Sequence, residues 1–275
     1  MSMVKDLRNV LYAIWTHPNN RGQRMRRLAA ALRFQLNGRV RGRRTLTSLG
    51  NSRLWAELHF IASSRPIYAD PPDLAHMMAW RRLVGPGERF IDVGANIGLY
   101  TLWLAEVGAR VTAVEPDPGA VARLRENIEM NGYDVEVAPV ALAARPGEVG
   151  FTTGFDVTNR LATDGAVKVW ATTLDELIGD DDVAGVKIDV EGAELEVLQG
   201  AERALAEQRI GALQLEWNET SVEMSGQDRS PVASLLASHG YRLFVPDESG
   251  ALFPVDGEGF GPDLFALPER RPVKS

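Results

Sequence analysis

Residues 90 to 101 read FIDVGANIGLYT, a short apolar run that ends at Asp92 and Val93, turns through Gly94 and Gly98 and re-enters an apolar segment. The pattern is a strand, a glycine turn and a helix, with Asn96 between the glycines. A dinucleotide fingerprint would place glycines first, third and sixth, so that a pyrophosphate reaches the backbone at the helix N-terminus. Here the third position is Asn96 and the sixth is Leu99, a poor fit to a pyrophosphate.

A second acid, Glu115, ends the next apolar run in VTAVEPDP. Its two carboxylate oxygens suit the two hydroxyls of a ribose. Asp92 suits an ammonium, through charge-assisted bonds made directly or through water. S-adenosylmethionine carries these groups together with a positive sulfonium and no phosphate. The glycines would let the loop pass against the nucleoside. The spacing favours this methyl donor over a dinucleotide, although a strand-end acid also occurs in dinucleotide folds.

Methyl transfer from a sulfonium is an in-line displacement, so a protein must align the acceptor and exclude water. A hydroxyl acceptor also calls for a base or a metal nearby. Asp189, which ends the run VKID, is the first candidate; the alternative is a carboxylate fixed by Lys187 on the same strand face. Glu191 and Glu194 are expected in the first turn of the next helix, where the dipole favours carboxylates. In LQLEWNE, strand alternation puts Glu216 and Asn218 on one side. Asp189, Glu216 and Asn218 would make an all-oxygen set for magnesium, while strand-end acids also bind sugar hydroxyls without a metal. His17, His59, His76 and His239 show no ligand spacing. His76 joins Asp189 and Glu216 as a catalytic candidate because its helix could close over the donor; packing is its alternative role. Trp170 and Trp217 offer faces for stacking on a sugar or for core packing.

These residues need a frame. From Arg89 onward strands are expected near 89–93, 110–114, 134–138, 185–189, 211–216, 241–245 and 263–267, with helices near 97–107, 117–130, 193–207 and 228–238. Such alternation is the doubly wound α/β class, a mainly parallel sheet whose ligand lies beyond the carboxyl ends of the strands. The segments GEVGFTTG and AVKVWATT suggest a further strand pair, followed by a short helix at TLDELIG. The expected division is a basic helical extension and lid at 1–84 and a donor-binding domain at 85–275.

The 275 residues carry a net charge of −7, unevenly spread. Residues 1–45 hold eleven Lys and Arg against Asp6 alone, a net +10 attached to a body of −17. Within them RGQRMRRLAAALRFQL spaces Met25, Leu28, Leu32 and Leu36 by three and four among arginines, an amphipathic basic helix. It suits anionic lipid, a second subunit or packing on the body. GRVRGRR then reads as a flexible joint. A helix capped by Ser52 is expected over RLWAELHFIAS and another over DLAHMMAWRRLV with Pro72 in its first turn, the intervening RPIYADPP being too proline-rich for regular structure. The chain has no cysteine, which removes disulfides, thiolate metal sites and a thiol nucleophile. With no long apolar run and no secretory pattern at the N-terminus, a cytoplasmic location is expected. The acidic body argues against nucleic acid as a partner.

The glycine turn, VEPDP at 114–118, LRENIEMNG at 124–132 and VKIDVEGAELEVLQGA at 186–201 together resemble the FkbM-type S-adenosylmethionine-dependent methyltransferases. The resemblance covers about residues 66–267 and leaves out the basic arm. It implies a class I methyltransferase (Rossmann-like) fold, a seven-stranded sheet with its last strand antiparallel, and O-methylation of a hydroxyl on a sugar or a polyketide-type product. Asp92, Gly94, Asn96, Gly98 and Glu115 would hold the donor, and Ala141 in APVAL would flank its adenine. Asp189 would face the reaction centre, in an arrangement that with Glu216 and Asn218 would resemble catechol-type O-methyltransferases. Two functions of other classes compete: an NAD-dependent oxidoreductase, and a non-catalytic module that binds through the arm.

Overall fold

The computed structural model describes residues 3–42, 44–58, 61–151, 167–216, 229–256 and 263–269. The chain opens with helices α1 (Met3–Thr16) and α2 (Arg24–Arg41), a hairpin β1 (Thr45–Leu49) and β2 (Ser52–Ala56), and helices α3 (Ile61–Tyr68) and α4 (Leu74–Leu83). The alternating part follows: β3 (Arg89–Val93), α5 (Leu99–Ala105), β4 (Arg110–Val114), α6 (Pro118–Asn131) and β5 (Val135–Ala138). Three strands then form a small separate sheet, β6 (Ala141–Leu142), β7 (Gly147–Phe151) and β8 (Val167–Thr172), which leads into α7 (Leu174–Ile178). The main sheet resumes with β9 (Gly185–Ile188), α8 (Glu194–Gln199), α9 (Glu202–Ala206), β10 (Leu213–Leu215), α10 (Ser230–Ser238), β11 (Tyr241–Pro246), β12 (Leu252–Val255) and β13 (Leu264–Pro268).

The main sheet runs β12-β11-β13-β10-β9-β3-β4-β5. Strands β5, β4, β3, β9 and β10 pair in parallel, and β13 lies antiparallel to both its neighbours. This is the expected winding, with the switch point between β3 and β9. The sheet has eight strands rather than seven: β12 adds an antiparallel edge on β11. Pro254 disguised it, because proline lacks a ladder donor and is tolerated only at such an edge.

Alternation along the strands splits the core in two. Ile91, Val186, Ile188, Leu213 and Leu215 face α8, α9 and α10, while Phe90, Val111 and Phe265 face α4, α5 and α6. Leu49 and Leu54 of the hairpin and Met77 and Trp80 of α4 lie in that second core, which ties the hairpin and α4 to the sheet, while Ile14 of α1 and Ala31 and Phe34 of α2 pack in a third cluster.

The extension departs from the expectations in three places. The segment after Ser52 is a strand, closed on β1 by the two-residue turn Gly50-Asn51, with Leu49 opposite Ser52. Gly50 has a φ of +58°, as tight hairpin turns demand. Helix α3 runs through Pro66, where one lost backbone bond is offset by burying Ile67 and Tyr68. Helix α2 continues through the expected joint to Arg41 and stops where Gly42 turns left-handed at φ +56°.

Candidate functional site

The site begins where β3 ends. Gly94 has a φ of +77°, and a Cβ there would overlap the carbonyl oxygen of Asp189 at the end of β9. Gly98, at φ +95°, would bring a Cβ within 2.6 Å of the Leu124 side chain. Both glycines are therefore required by close packing against Asp189 and Leu124, whatever the loop holds. The loop is pinned to β4: the N–H groups of Gly94 and Ala95 both donate to the Val114 carbonyl at 3.0 Å.

Glu115 leaves β4 directly below this loop. Its Oε2 accepts from the Asn96 N–H at 2.8 Å and its Oε1 from the Asp117 N–H at 2.9 Å. One lone pair on each oxygen thus holds the carboxylate in place, leaving acceptor capacity for two further hydroxyls. Burial pushes its pKa up to about 7 in spite of those two backbone donors. Ala141 is buried in β6, just past β5, and the Ala138 carbonyl accepts from the Glu115 N–H at 3.1 Å.

Asp92 is buried, with Oδ2 accepting from the Thr101 hydroxyl at 2.7 Å and Oδ1 buried without a hydrogen-bond partner. Burial raises its pKa, and Lys187 and Thr101 offset this only in part. An orphaned carboxylate oxygen beneath the glycine loop fits an ammonium, the group the sequence assigned to Asp92.

Parallel register sets Asp92 beside Lys187 and Lys187 beside Gln214, so three polar residues form one row across the α4 and α5 side of the sheet. Lys187 is buried and donates to Asp189 Oδ2 at 2.8 Å, with its ammonium 4.8 Å from the centre of the Tyr100 ring. Burial opposes the charge, yet Asp189 and Asp92 overcome that and raise the lysine pKa well above its usual value. Asp189 itself is 40% exposed, at the open end of β9.

Carboxylate oxygens of Asp189, Glu191 and Glu216 lie within 4.8 Å of one another. Glu191 is not in a helix turn, as expected, but in the preceding loop at φ +53°. Glu194 opens α8, buried against Arg229 at 2.8 Å. Asn218 and Trp217 lie outside the described residues. Trp170 is exposed on β8, and His76 Nε2 is 2.9 Å from the Asp263 carbonyl with its ring stacked on Phe265.

Sequence reasoning missed Arg65, Asp73, Tyr100 and Gln214. Arg65 donates to Asp73 Oδ1 at 2.9 Å, and the Tyr100 hydroxyl donates to Asp73 Oδ2 at 3.2 Å. Gln214 Nε2 donates to Asp263 Oδ2 at 3.0 Å. Burial pushes the Asp73 carboxyl up, but Arg65, His76, Tyr100 and Lys187 outweigh it and hold the pKa below the ordinary value. Asp73 occupies the N-cap of α4 without using its side chain as a cap. An aspartate ahead of an apolar helix is a cap signal, so nothing in the sequence set Asp73 apart from ordinary capping.

A sequence model described as "Methyltransferase FkbM domain" matches residues 92–243. The hexuronic acid methyltransferase AglP of Haloferax volcanii is 34% identical over 120 residues, 42% of this chain and 50% of AglP. The AMB antimetabolite synthetase AmbE of Pseudomonas aeruginosa is 26% identical over 211 residues, 60% of this chain and 10% of AmbE. The chain therefore spans half the length of the first relative and a tenth of the second. Among solved structures, a tRNA (uracil-54, C5)-methyltransferase of Pyrococcus abyssi overlaps 82% of this chain and 43% of its own at 12% identity, TM-score 0.44.

Proposed function

This chain belongs to the FkbM methyltransferase family, and we propose that it methylates a hydroxyl of a sugar or saccharide-containing metabolite. The observation that carries the proposal is the placing of three acids at the carboxyl ends of adjacent strands: Asp92 and Glu115 buried under the donor loop, Asp189 partly open to solvent. S-adenosylmethionine, when bound, supplies an electrophilic methyl group on a cationic sulfur. Asp92 would hold its ammonium and Glu115 its ribose hydroxyls, with Asn96 and Ala141 lining the nucleoside.

Asp189 then faces the acceptor. Lys187 holds one of its oxygens, which fixes the carboxylate so that the other can accept a hydrogen bond from the attacking hydroxyl and take its proton as the new bond forms. Glu216 and Glu191 stand beside it to accept bonds from neighbouring hydroxyls. An acceptor with several hydroxyls in a row matches this set better than a lone polyketide alcohol. The name of AglP points the same way, toward a saccharide.

A second reading adds a divalent cation, favoured by the convergence of oxygens from Asp189, Glu191 and Glu216. The ammonium of Lys187, already neutralising Asp189, works against it.

The test is transfer of isotopic methyl from S-adenosylmethionine to a panel of glycosides, uronic acids and polyketide alcohols, with magnesium and with chelator. Methylation of a sugar hydroxyl that survives chelation, and falls about 10²- to 10⁴-fold in Asp189→Asn, supports the proposal. Transfer only to a carboxylate, nitrogen or carbon refutes methylation of a hydroxyl, and loss on chelation selects the metal reading.

A further inference from the structure

We propose that the outer faces of α1 and α2 form a docking surface for a bilayer bearing anionic headgroups. Helix α2 has two apolar sides. The inner one, Ala31 and Phe34 with part of Leu28, packs with Ile14 of α1 and with Ile67 and Tyr68 of α3. The outer one is the stripe Met25, Ala29, Leu32, Leu36 and Val40, which at 3.6 residues per turn spans roughly 80° of arc. Three of the four apolar residues that the sequence spaces along this helix lie on that outer side: Met25 is 69% exposed, Leu32 56% and Leu36 63%.

Arg33 and Asn37 line the same open surface as Ala29, Leu32, Leu36 and Val40. Arg26 and Arg33 flank it on one side and Arg39 on the other, and α2 contains no acid. Helix α1 adds exposed Leu11, Tyr12 and Trp15. Tyrosine and tryptophan are favoured at the headgroup level of a bilayer, where one side of the ring is dry and the other wet. Apolar stripe, flanking arginines and amphipathic aromatics are the features of a helix that lies in the plane of an anionic interface. No helix among the described residues is long and apolar enough to cross the membrane, so the contact is peripheral.

Charge and shape select lipid over other occupants. Phosphates of a nucleic acid would pair with the arginines but leave Leu32, Leu36 and Val40 in water. A second copy related by a two-fold axis would set arginines against arginines. The acidic body of a copy docked head to tail offers little apolar surface in return: outside α1 and α2, the exposed large apolar residues among those described are Leu46, Val167, Trp170 and Phe253. A bilayer satisfies both the charge and the stripe.

The test is co-sedimentation of the full chain with vesicles of phosphatidylcholine alone or mixed with phosphatidylglycerol, at low and at physiological salt. The variants are Leu32→Asp/Leu36→Asp and Arg26→Ser/Arg33→Ser, with melting temperature and S-adenosylmethionine titration as fold controls. We expect binding to the anionic vesicles only, weakened about tenfold or more by the leucine pair and made less salt-sensitive by the arginine pair. Failure to bind anionic vesicles at low salt overturns the proposal. So does equal binding by the leucine variant, or a dimer in light scattering that the leucine variant abolishes, which would give the surface to a second copy.

Discussion

Lys187 donates to Asp189 at 2.8 Å and stands in strand register beside Asp92, so one buried cation serves the acid under the donor loop and the acid at the open edge. Removing it leaves the buried Asp92 without its neighbouring cation, whereas Asp189, at the open edge, can turn to water. Lys187→Met is expected to cost about 1–3 kcal/mol of stability, less than breaking a fully buried pair because the Asp189 side chain is 40% exposed. Urea unfolding measures this; a loss below about 1 kcal/mol would mean that water already compensates these charges.

Glu115 gives a pH signature. Its pKa of about 7 lies above the ordinary glutamate value, so between the two the folded state binds the extra proton, and stability from this group falls as pH rises through that window. Glu115→Gln should flatten that slope, at the cost of one of the two backbone hydrogen bonds, since an amide keeps a single acceptor oxygen for the Asn96 and Asp117 N–H groups. Donor binding should run the opposite way. Ribose hydroxyls prefer the carboxylate, so affinity for S-adenosylmethionine should weaken as pH drops below about 7 in the parent but stay level in Glu115→Gln.

Gly94→Ala tests the packing of the strand ends. The new methyl would overlap the Asp189 carbonyl, and backbone at φ +77° is itself strained for alanine. We expect at least about 2–4 kcal/mol of destabilisation with loss of donor binding; a fold of parental stability would show that β3 and β9 separate easily.

Asp73 separates acceptor from donor. Its carboxylate joins Arg65 to Tyr100 at the side of the site away from Glu115. Asp73→Asn should raise the acceptor KM while changing S-adenosylmethionine affinity less than about threefold, a difference within about 0.7 kcal/mol. An equal loss in both would place Asp73 in the donor site.

The sheet was legible because FIDVG, VTAVEPDP and VKIDVEG carry strand, acid and turn in one short stretch each, and those local signals match the tertiary outcome. The hairpin was not. Ser52 looks like a helix cap, and Gly50-Asn51 became a turn only through pairing that sequence spacing understates. The same holds within the site. Asp92 and Glu115 announce themselves by ending strands, whereas Arg65 and Asp73 reach the site through the packing of α3 and α4, a long-range relationship that no local pattern encodes. For Leu32 and Leu36 the period was legible but the side they face was not, because only the packing of Ala31 and Phe34 settles which face of α2 turns inward.

The central claim is that Glu115 and Asp92 hold a methyl donor. Calorimetric titration of the full chain with S-adenosylmethionine and with NAD, repeated for Glu115→Ala, tests it most directly. We expect binding of S-adenosylmethionine alone, weakened roughly tenfold or more by the loss of two charge-assisted hydrogen bonds. Binding of NAD, or donor affinity indifferent to Glu115, would contradict it.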